Sequence, residues 1–295
     1  METPRVSESS AGSSRTGSAG LSERDFARLS AFIERHCGIR MPIAKKTLLE
    51  SRLSGRVREL GMKGFSEYCD HVLGGHSAEE LVHMVDKVTT NKTDFFREPQ
   101  HFEVLVRQAL PALAERHGAG DRRELRVWSA GCSTGEEPYT LAMVLSEVAA
   151  PGPKLRFQVL ATDLSTRVLR HAQAALYQES QVQPVPLELR RKYLLRSMTD
   201  AEVVRVGPRL RSLVRFRQVN LLDHDYGIRP PVDVIFCRNV FIYFERKTQQ
   251  DILRRFGQSL APGGFLFLGH SETINGLDVP FDQVAPTVYR RRDGL

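Results

Sequence analysis

The sequence predicts an α/β fold: a largely parallel sheet covered on both faces, preceded by a small all-α domain and interrupted by an antiparallel insertion. Three observations predict it. Between Leu125 and Asp163 a short apolar strand runs into a glycine turn, then a helix, then a second strand that ends in an acid. Val232 to Cys237 is a nearly unbroken apolar run, suited to a strand buried on both faces. From Leu21 to about Thr90, apolar residues recur at helical spacing with Gly and Pro between the segments.

Composition bounds the answer. A chain of 295 residues, 41% hydrophobic and 26% charged, is an ordinary soluble protein of one large or two modest domains. No apolar run reaches membrane-spanning length, and the polar N-terminus is no signal peptide. Cys37, Cys69, Cys132 and Cys237 are scattered without metal-ligand spacing. A reduced, cytoplasmic protein with no metal is therefore expected. A net charge of +7 favours acidic partners: nucleic acid, anionic lipid or an acidic protein surface.

Taken in order, residues 1–20 have almost nothing to bury and read as a disordered tail. Residues 21–90 form a helical domain. Ser22 can cap a first helix with Phe26, Leu29, Phe32 and Ile33 on one face. A second helix, from about Ala44 to Leu60, follows Pro42 and ends at Gly61; two more occupy Phe65 to Leu73 and Ser77 to Val88. On the second helix Leu49, Leu53, Val57 and Leu60 make an apolar arc, and Lys45, Arg52 and Arg56 a basic stripe beside it. Glu50 and Glu59 do not neutralise that stripe, and no aromatics interleave with it. An acidic protein helix suits it better than a single-stranded nucleic acid. Residues 91–97 are a linker, to which Phe95, Phe96 and Arg97 give an unusual content, and a long helix from about Pro99 to Arg116 opens the larger domain, 98–295.

The unit around Gly131-Cys132-Ser133-Thr134-Gly135-Glu136-Glu137 carries the chemistry. Glycines let the backbone turn sharply, and the following helix N-terminus offers N–H groups to an electron-rich ligand. Asp163 can accept hydrogen bonds from both hydroxyls of a ribose. The turn is not the G-x-G-x-x-G of dinucleotide sites, and two glutamates beside it would repel a pyrophosphate. They suit a ligand with a sulfonium, an amino group and ribose hydroxyls, all three of which S-adenosylmethionine (SAM) has. The competing reading is a structural turn with two solvated glutamates favoured by the helix dipole.

Beyond it, 176–219 departs from the α/β alternation: a helix through Leu195, then Glu202 to Val206 and Leu213 to Val219 as an antiparallel, basic insertion. The Val232 strand releases Arg238 and Asn239, with Tyr243 at the start of a helix through Leu260, over the sheet edge where ligands sit. A strand from Phe265 to Leu268 leads to Gly269-His270-Ser271-Glu272, whose histidine reads as a loop residue satisfied by its neighbours. A hairpin around Phe281–Val284 and Thr287–Arg290 closes the domain.

Several stretches in register carry a resemblance: Thr89 to Glu98, Ser133-Thr134-Gly135-Glu136-Glu137-Pro138-Tyr139, Ala161-Thr162-Asp163, Asn220-Leu221-Leu222, Phe236 to Phe244, and Gly269 to Glu272. From about residue 22 to 291 the chain resembles the chemoreceptor glutamate O-methyltransferases, the CheR family. The resemblance implies a Rossmann-like, SAM-dependent methyltransferase that esterifies glutamates on the cytoplasmic helical domain of a chemoreceptor, releasing S-adenosylhomocysteine. It implies cofactor contacts from Asn91, Thr93 and Arg97 in the linker, from Glu137 and Asp163, from Asn220 and Leu221 beside the adenine, and from Cys237 and Arg238 or the adjoining Asn239 at the methyl-donor end. Arg97, Arg238 and Tyr243 are the implied catalytic residues, and the helical domain with Lys45, Arg52 and Arg56 the substrate-recognising part. The family's insertion can bind a peptide at a receptor's C-terminus; the segment between Arg196 and Leu213 lacks the glycine-rich turn associated with that tethering. A monomer with no nucleic-acid partner and no membrane insertion is expected. Rival readings are a SAM-dependent nucleic-acid methyltransferase, against which Arg238-Asn239 stands in place of an Asn/Asp-Pro-Pro-aromatic motif, and a non-catalytic SAM-binding scaffold.

Overall fold

A computed structural model describes residues 20–74, 78–89, 91–148, 155–229 and 231–294. The expected N-terminal tail lies almost wholly outside these residues. Helix α1 (Glu23–Cys37) begins where the Ser22 hydroxyl accepts from the Asp25 amide at 3.0 Å, and ends at Gly38, which takes the left-handed φ of 70°. A 3-10 turn (Ile43–Lys45) follows Pro42 and feeds α2 (Lys46–Glu59); α3 (Phe65–Leu73) and α4 (Ala78–Val88) complete the helical domain. Leu49, Leu53 and Val57 are buried with Leu29, Ile33, Tyr68 and Met84 in one core, as the apolar arc requires.

The long helix of the larger domain is continuous but not uniform. It runs as α5 (Gln100–Val104), one π turn (Leu105–Ala109) and α6 (Leu110–His117). Pro111 has no amide to donate back into the turn before it, and the helix widens there.

The sheet then follows: β1 (Leu125–Ala130), α7 (Glu136–Val148), β2 (Phe157–Asp163) and α8 (Thr166–Ala174). The insertion holds β3 (Leu176–Gln178), α9 (Leu187–Tyr193), β4 (Leu194–Arg196) and β5 (Val203–Val206), with β5 between β3 and β4, antiparallel to both. After α10 (Pro208–Arg211) come β6 (Val214–Gln218), β7 (Val232–Cys237), α11 (Arg246–Ser259), β8 (Leu260–Leu268), β9 (Phe281–Ala285) and β10 (Val288–Arg291). The main sheet has the order β6-β2-β1-β7-β8-β10-β9 and is parallel from β6 through β8; the last two strands are the closing hairpin.

Two expectations are corrected here. Leu213 to Val219 does not belong to the insertion: β6 runs parallel to β2, from Val159 opposite Val214 to Asp163 opposite Gln218. Its alternation of apolar and arginine residues fits an edge strand of either sheet, so periodicity could not choose between them. The predicted helix through Leu195 stops at Tyr193; Leu194 turns extended and pairs with Val206.

The chain fills one side of the sheet with β2 and β6, then returns to place β7 on the other side of β1. The crevice at the carboxyl ends of β1 and β7 is thus the switch point where open α/β sheets bind ligands. Large rings fix the strands beneath it. Trp128 is fully buried and donates Nε1–H to Thr162 Oγ1 at 2.8 Å, and the rings of Phe236 and Phe267 stack 4.3 Å apart. The helical domain is seated over this crevice. The Ser165 hydroxyl donates to Asp86 at 2.6 Å, Asn220 Nδ2 to the His36 carbonyl at 2.7 Å, and the Arg40 amide to the Tyr243 carbonyl at 3.0 Å.

Candidate active site

A cavity of about 370 Å³ opens between the two domains, within the size range of small-molecule sites, roughly 300–1,000 Å³. Its floor comes from strand ends. Gly131 takes a φ of 79°, and a Cβ there would lie 2.6 Å from Val240 Cγ2, so only glycine fits beneath that side chain. Ser133 is also left-handed, at φ 50°; this aims its amide at Asp163 Oδ2, 2.9 Å away, while its hydroxyl donates to the Asn91 carbonyl at 2.8 Å. Gly135 serves packing instead: a Cβ there would press on Ala172 and the Tyr177 hydroxyl.

Asp163 is braced on both oxygens, accepting from the Ser133 amide and, at 2.9 Å, from the Ser165 amide. Burial pushes its pKa up while the amides of Ser165, Ser133 and Leu164 pull it back down. A carboxylate has about four acceptor positions, so it can still accept from a ribose hydroxyl. Glu137 is held in the same manner. The Ser129 hydroxyl donates to one oxygen and Arg238 Nε to the other, both at 2.7 Å. Glu136, by contrast, is buried away from the cavity, receives the Thr134 hydroxyl at 2.6 Å, and has its pKa pushed up to about 7 by desolvation. Neither glutamate is a solvated helix-end charge, contrary to the competing reading of this turn.

The implied cofactor residues Asn91, Thr93, Arg97, Glu137, Asp163, Asn220, Leu221, Arg238 and Asn239 all line the cavity, and so do Tyr243, Lys45 and Arg52. Several need a changed role. Cys237 does not reach the cavity: its side chain is fully buried in the core beneath the sheet, and burial pushes its thiol far up. The Asn220 side chain is already engaged, donating to His36 and accepting from the Leu222 amide at 3.0 Å, so it ties the domains together. Tyr243 sits in a 3-10 turn (Phe241–Tyr243) before α11, with Lys45 Nζ 5.9 Å from its ring centre.

Arg238 is the largest revision. Its guanidinium lies beside the stacked rings of Phe102 and Phe236, 5.2 and 5.4 Å from their centres, and donates to Glu137 and, from Nη1, to the Arg97 carbonyl at 2.5 Å. With a side chain only 3% exposed, it cannot reach an incoming acceptor without abandoning a buried ion pair. It positions Glu137 and the linker. Arg97, whose Nη1 donates to the Lys92 carbonyl at 3.2 Å, keeps its guanidinium at the cavity.

The basic stripe also divides. Arg56 is not free: it donates to the buried carboxylate of Glu80 at 2.7 and 2.9 Å and to Glu59 at 3.2 Å, while the Tyr68 hydroxyl also donates to Glu80. The partner comes from α4, beyond the reach of helical spacing within α2. Arg52 donates to the Val88 carbonyl at 2.5 Å, which leaves it on the cavity wall beside Lys45.

The sequence reading gave Glu272 no role. It is buried, and its carboxylate accepts from the amides of Asn239, Phe241 and Gly269 at 2.6 to 2.9 Å. This holds Asn239 at φ 60°, and Gly269 has no Cβ because one would lie 2.6 Å from Asn239 Nδ2. Asn239 Oδ1 is buried without a hydrogen-bond partner among the described residues. A braced diol acceptor, a second carboxylate and an orphaned amide oxygen at one cavity fit the ribose and amino groups of SAM.

Comparison with known proteins agrees. Residues 91–290 match the family described as CheR methyltransferase, SAM binding domain, and residues 24–89 match CheR methyltransferase, all-alpha domain. The chain belongs to the CheR methyltransferase family. Among curated CheR relatives, a chemotaxis protein methyltransferase of Salmonella typhimurium is 39% identical over 270 residues, 91% of this chain and 90% of that protein. One from Borreliella burgdorferi is 36% identical over 272 residues, 92% and 95% of the two chains. Among solved structures it is similar to SAM-bound CalS10, an amino pentose methyltransferase from Micromonospora echinaspora, 16% identical with a TM-score of 0.33, covering 70% of this chain and 73% of that one. As a CheR-family chain, it is a SAM-dependent methyltransferase with its all-α domain placed over the cofactor domain.

Proposed function

We propose that this chain methylates glutamate side-chain carboxylates on the cytoplasmic helical domain of a chemoreceptor. The observation that carries the reading is the two-sided cavity. Asp163, Glu137 and Asn239 stand on the sheet side, and Lys45, Arg52, Arg97 and Tyr243 stand where the helical domain meets the linker and the 238–244 loop. The names of the relatives support the chemotaxis setting.

The cofactor supplies an electrophilic methyl on a sulfonium, and its transfer to a carboxylate oxygen leaves a neutral thioether and an ester with no proton to move. A glutamate, with an ordinary pKa of about 4.3, arrives already ionised. The protein therefore needs no general base, and no histidine is among the described residues that line the cavity. Asp163 and Asn239 would hold the polar groups of the cofactor, with Glu137 kept in place by Ser129 and Arg238. Arg97, Lys45 and Arg52 make the rim attractive to an anion, and Tyr243 stands where an acceptor oxygen enters. Too tight an ion pair would hold the ground state as firmly as the transition state and gain nothing.

The test is methyl transfer to a purified receptor cytoplasmic domain and to variants in which its acidic helix-face glutamates are alanine. Incorporation should disappear with the glutamates. Incorporation that survives their removal would contradict the reading.

A further inference from the structure

We propose that Glu98, His101 and His270 form a site for a divalent transition metal of the zinc type, beside the cofactor cavity and separate from it. None of the three lines the cavity, yet one donor atom from each lies within 4.8 Å of the others. Glu98 Oε2 and His101 Nδ1 are both buried and have no hydrogen-bond partner among the described residues, on side chains 10% and 2% exposed. Leaving two such atoms bare is costly unless something fills the space between them. They are 3.3 Å apart. Zinc bonds of about 2.0–2.1 Å to nitrogen and 2.0–2.2 Å to oxygen, at tetrahedral angles, place neighbouring donors about 3.3–3.5 Å apart.

The outer contacts suit the same role. His101 Nε2 is 2.9 Å from the Thr287 hydroxyl; donating its proton there leaves Nδ1 with a lone pair facing Glu98. The other Glu98 oxygen accepts from the His270 amide at 3.3 Å, and the backbone of Glu98 is left-handed at φ 54°, a conformation that sets the carboxylate under the histidines. His270 Nε2 is 4.0 Å from Glu98 Oε2, so its half-exposed ring must swing inward by at least about 0.5 Å to reach tetrahedral donor spacing. Arg238 Nη1, 3.8 Å from the same oxygen, opposes a cation and tempers the affinity. Three protein ligands leave a fourth position for water.

The experiment is titration of the full chain, stripped by a chelator, with zinc alone by calorimetry, and with cobalt as an absorbing substitute. One zinc per chain should bind, and His270→Ala, which removes an exposed ring and leaves the core intact, should weaken binding at least about tenfold. The tetrahedral cobalt bands should vanish in the variant. No saturable binding to the unmodified chain, or equal binding to His270→Ala, would overturn the proposal.

Discussion

At the scale of single residues, most charges around the crevice are already committed, and what each is committed to decides what its loss would do. Arg238 is paired with Glu137, on the cofactor side, whereas Tyr243 has Lys45 Nζ 5.9 Å from its ring centre. Arg238→Ala is expected to weaken S-adenosylhomocysteine binding as well as turnover, and to cost about 3–5 kcal/mol of stability by stranding Glu137. Tyr243→Phe should lower turnover with cofactor affinity intact. Calorimetry beside steady-state kinetics separates the two patterns. Glu136 offers a pH signature of its own. Desolvation raises its pKa from 4.5 to about 7, so in that window the folded chain keeps a proton that the unfolded chain has lost, and stability falls as pH rises. His101, shifted the opposite way, destabilises on the acid side, so the contrast must be taken against a variant. Glu136→Gln should match the parent near pH 4.5 and exceed it above pH 7 by an amount approaching about 3 kcal/mol, in urea titrations at the two ends. A parallel pair of stability curves would show that Glu136 is not buried as described.

At the scale of elements, α2 and the turn that leads into it do two jobs. Arg56 fastens it to α4 through Glu80, while Lys45, at the turn into it, faces Tyr243. Arg56→Ala should therefore cost about 3 kcal/mol in thermal or urea unfolding, the low end for a buried pair because the arginine is partly exposed. Lys45→Glu should leave unfolding unchanged, raise KM for the receptor and reverse the effect of added salt on activity. The sequence made the apolar arc of α2, the β1–α7–β2 unit and the closing hairpin legible because their patterns are local. It could not separate the Arg56 partner from a solvated face, since Glu80 lies on another helix. Nor could it place β6: Val214 and Phe216 alternate with Arg215 and Arg217 as any half-buried edge strand would, and only the register with β2 decides the sheet.

At the scale of the whole molecule, the cavity exists because two domains share it. Asp86 with Ser165, His36 with Asn220 and Arg40 with Tyr243 join residues far apart in the chain, and no spacing rule could have paired them. The motif residues were legible as a set: Asn91, Arg97, Glu137, Asp163, Asn239 and Tyr243 do converge. Their division of labour was not, since it depends on which partner reaches each first, as Arg238 and Asn220 show. The arrangement places a basic rim against a carboxylate-lined cofactor site, and the central claim is that a methyl group crosses to a carboxylate. The most direct measurement is transfer from methyl-labelled SAM to a purified receptor cytoplasmic domain, followed by mild alkali. An ester made on glutamate will release its label as volatile methanol. Label that stays with the protein after alkali would mean that a nitrogen, and not a carboxylate oxygen, had received the methyl group.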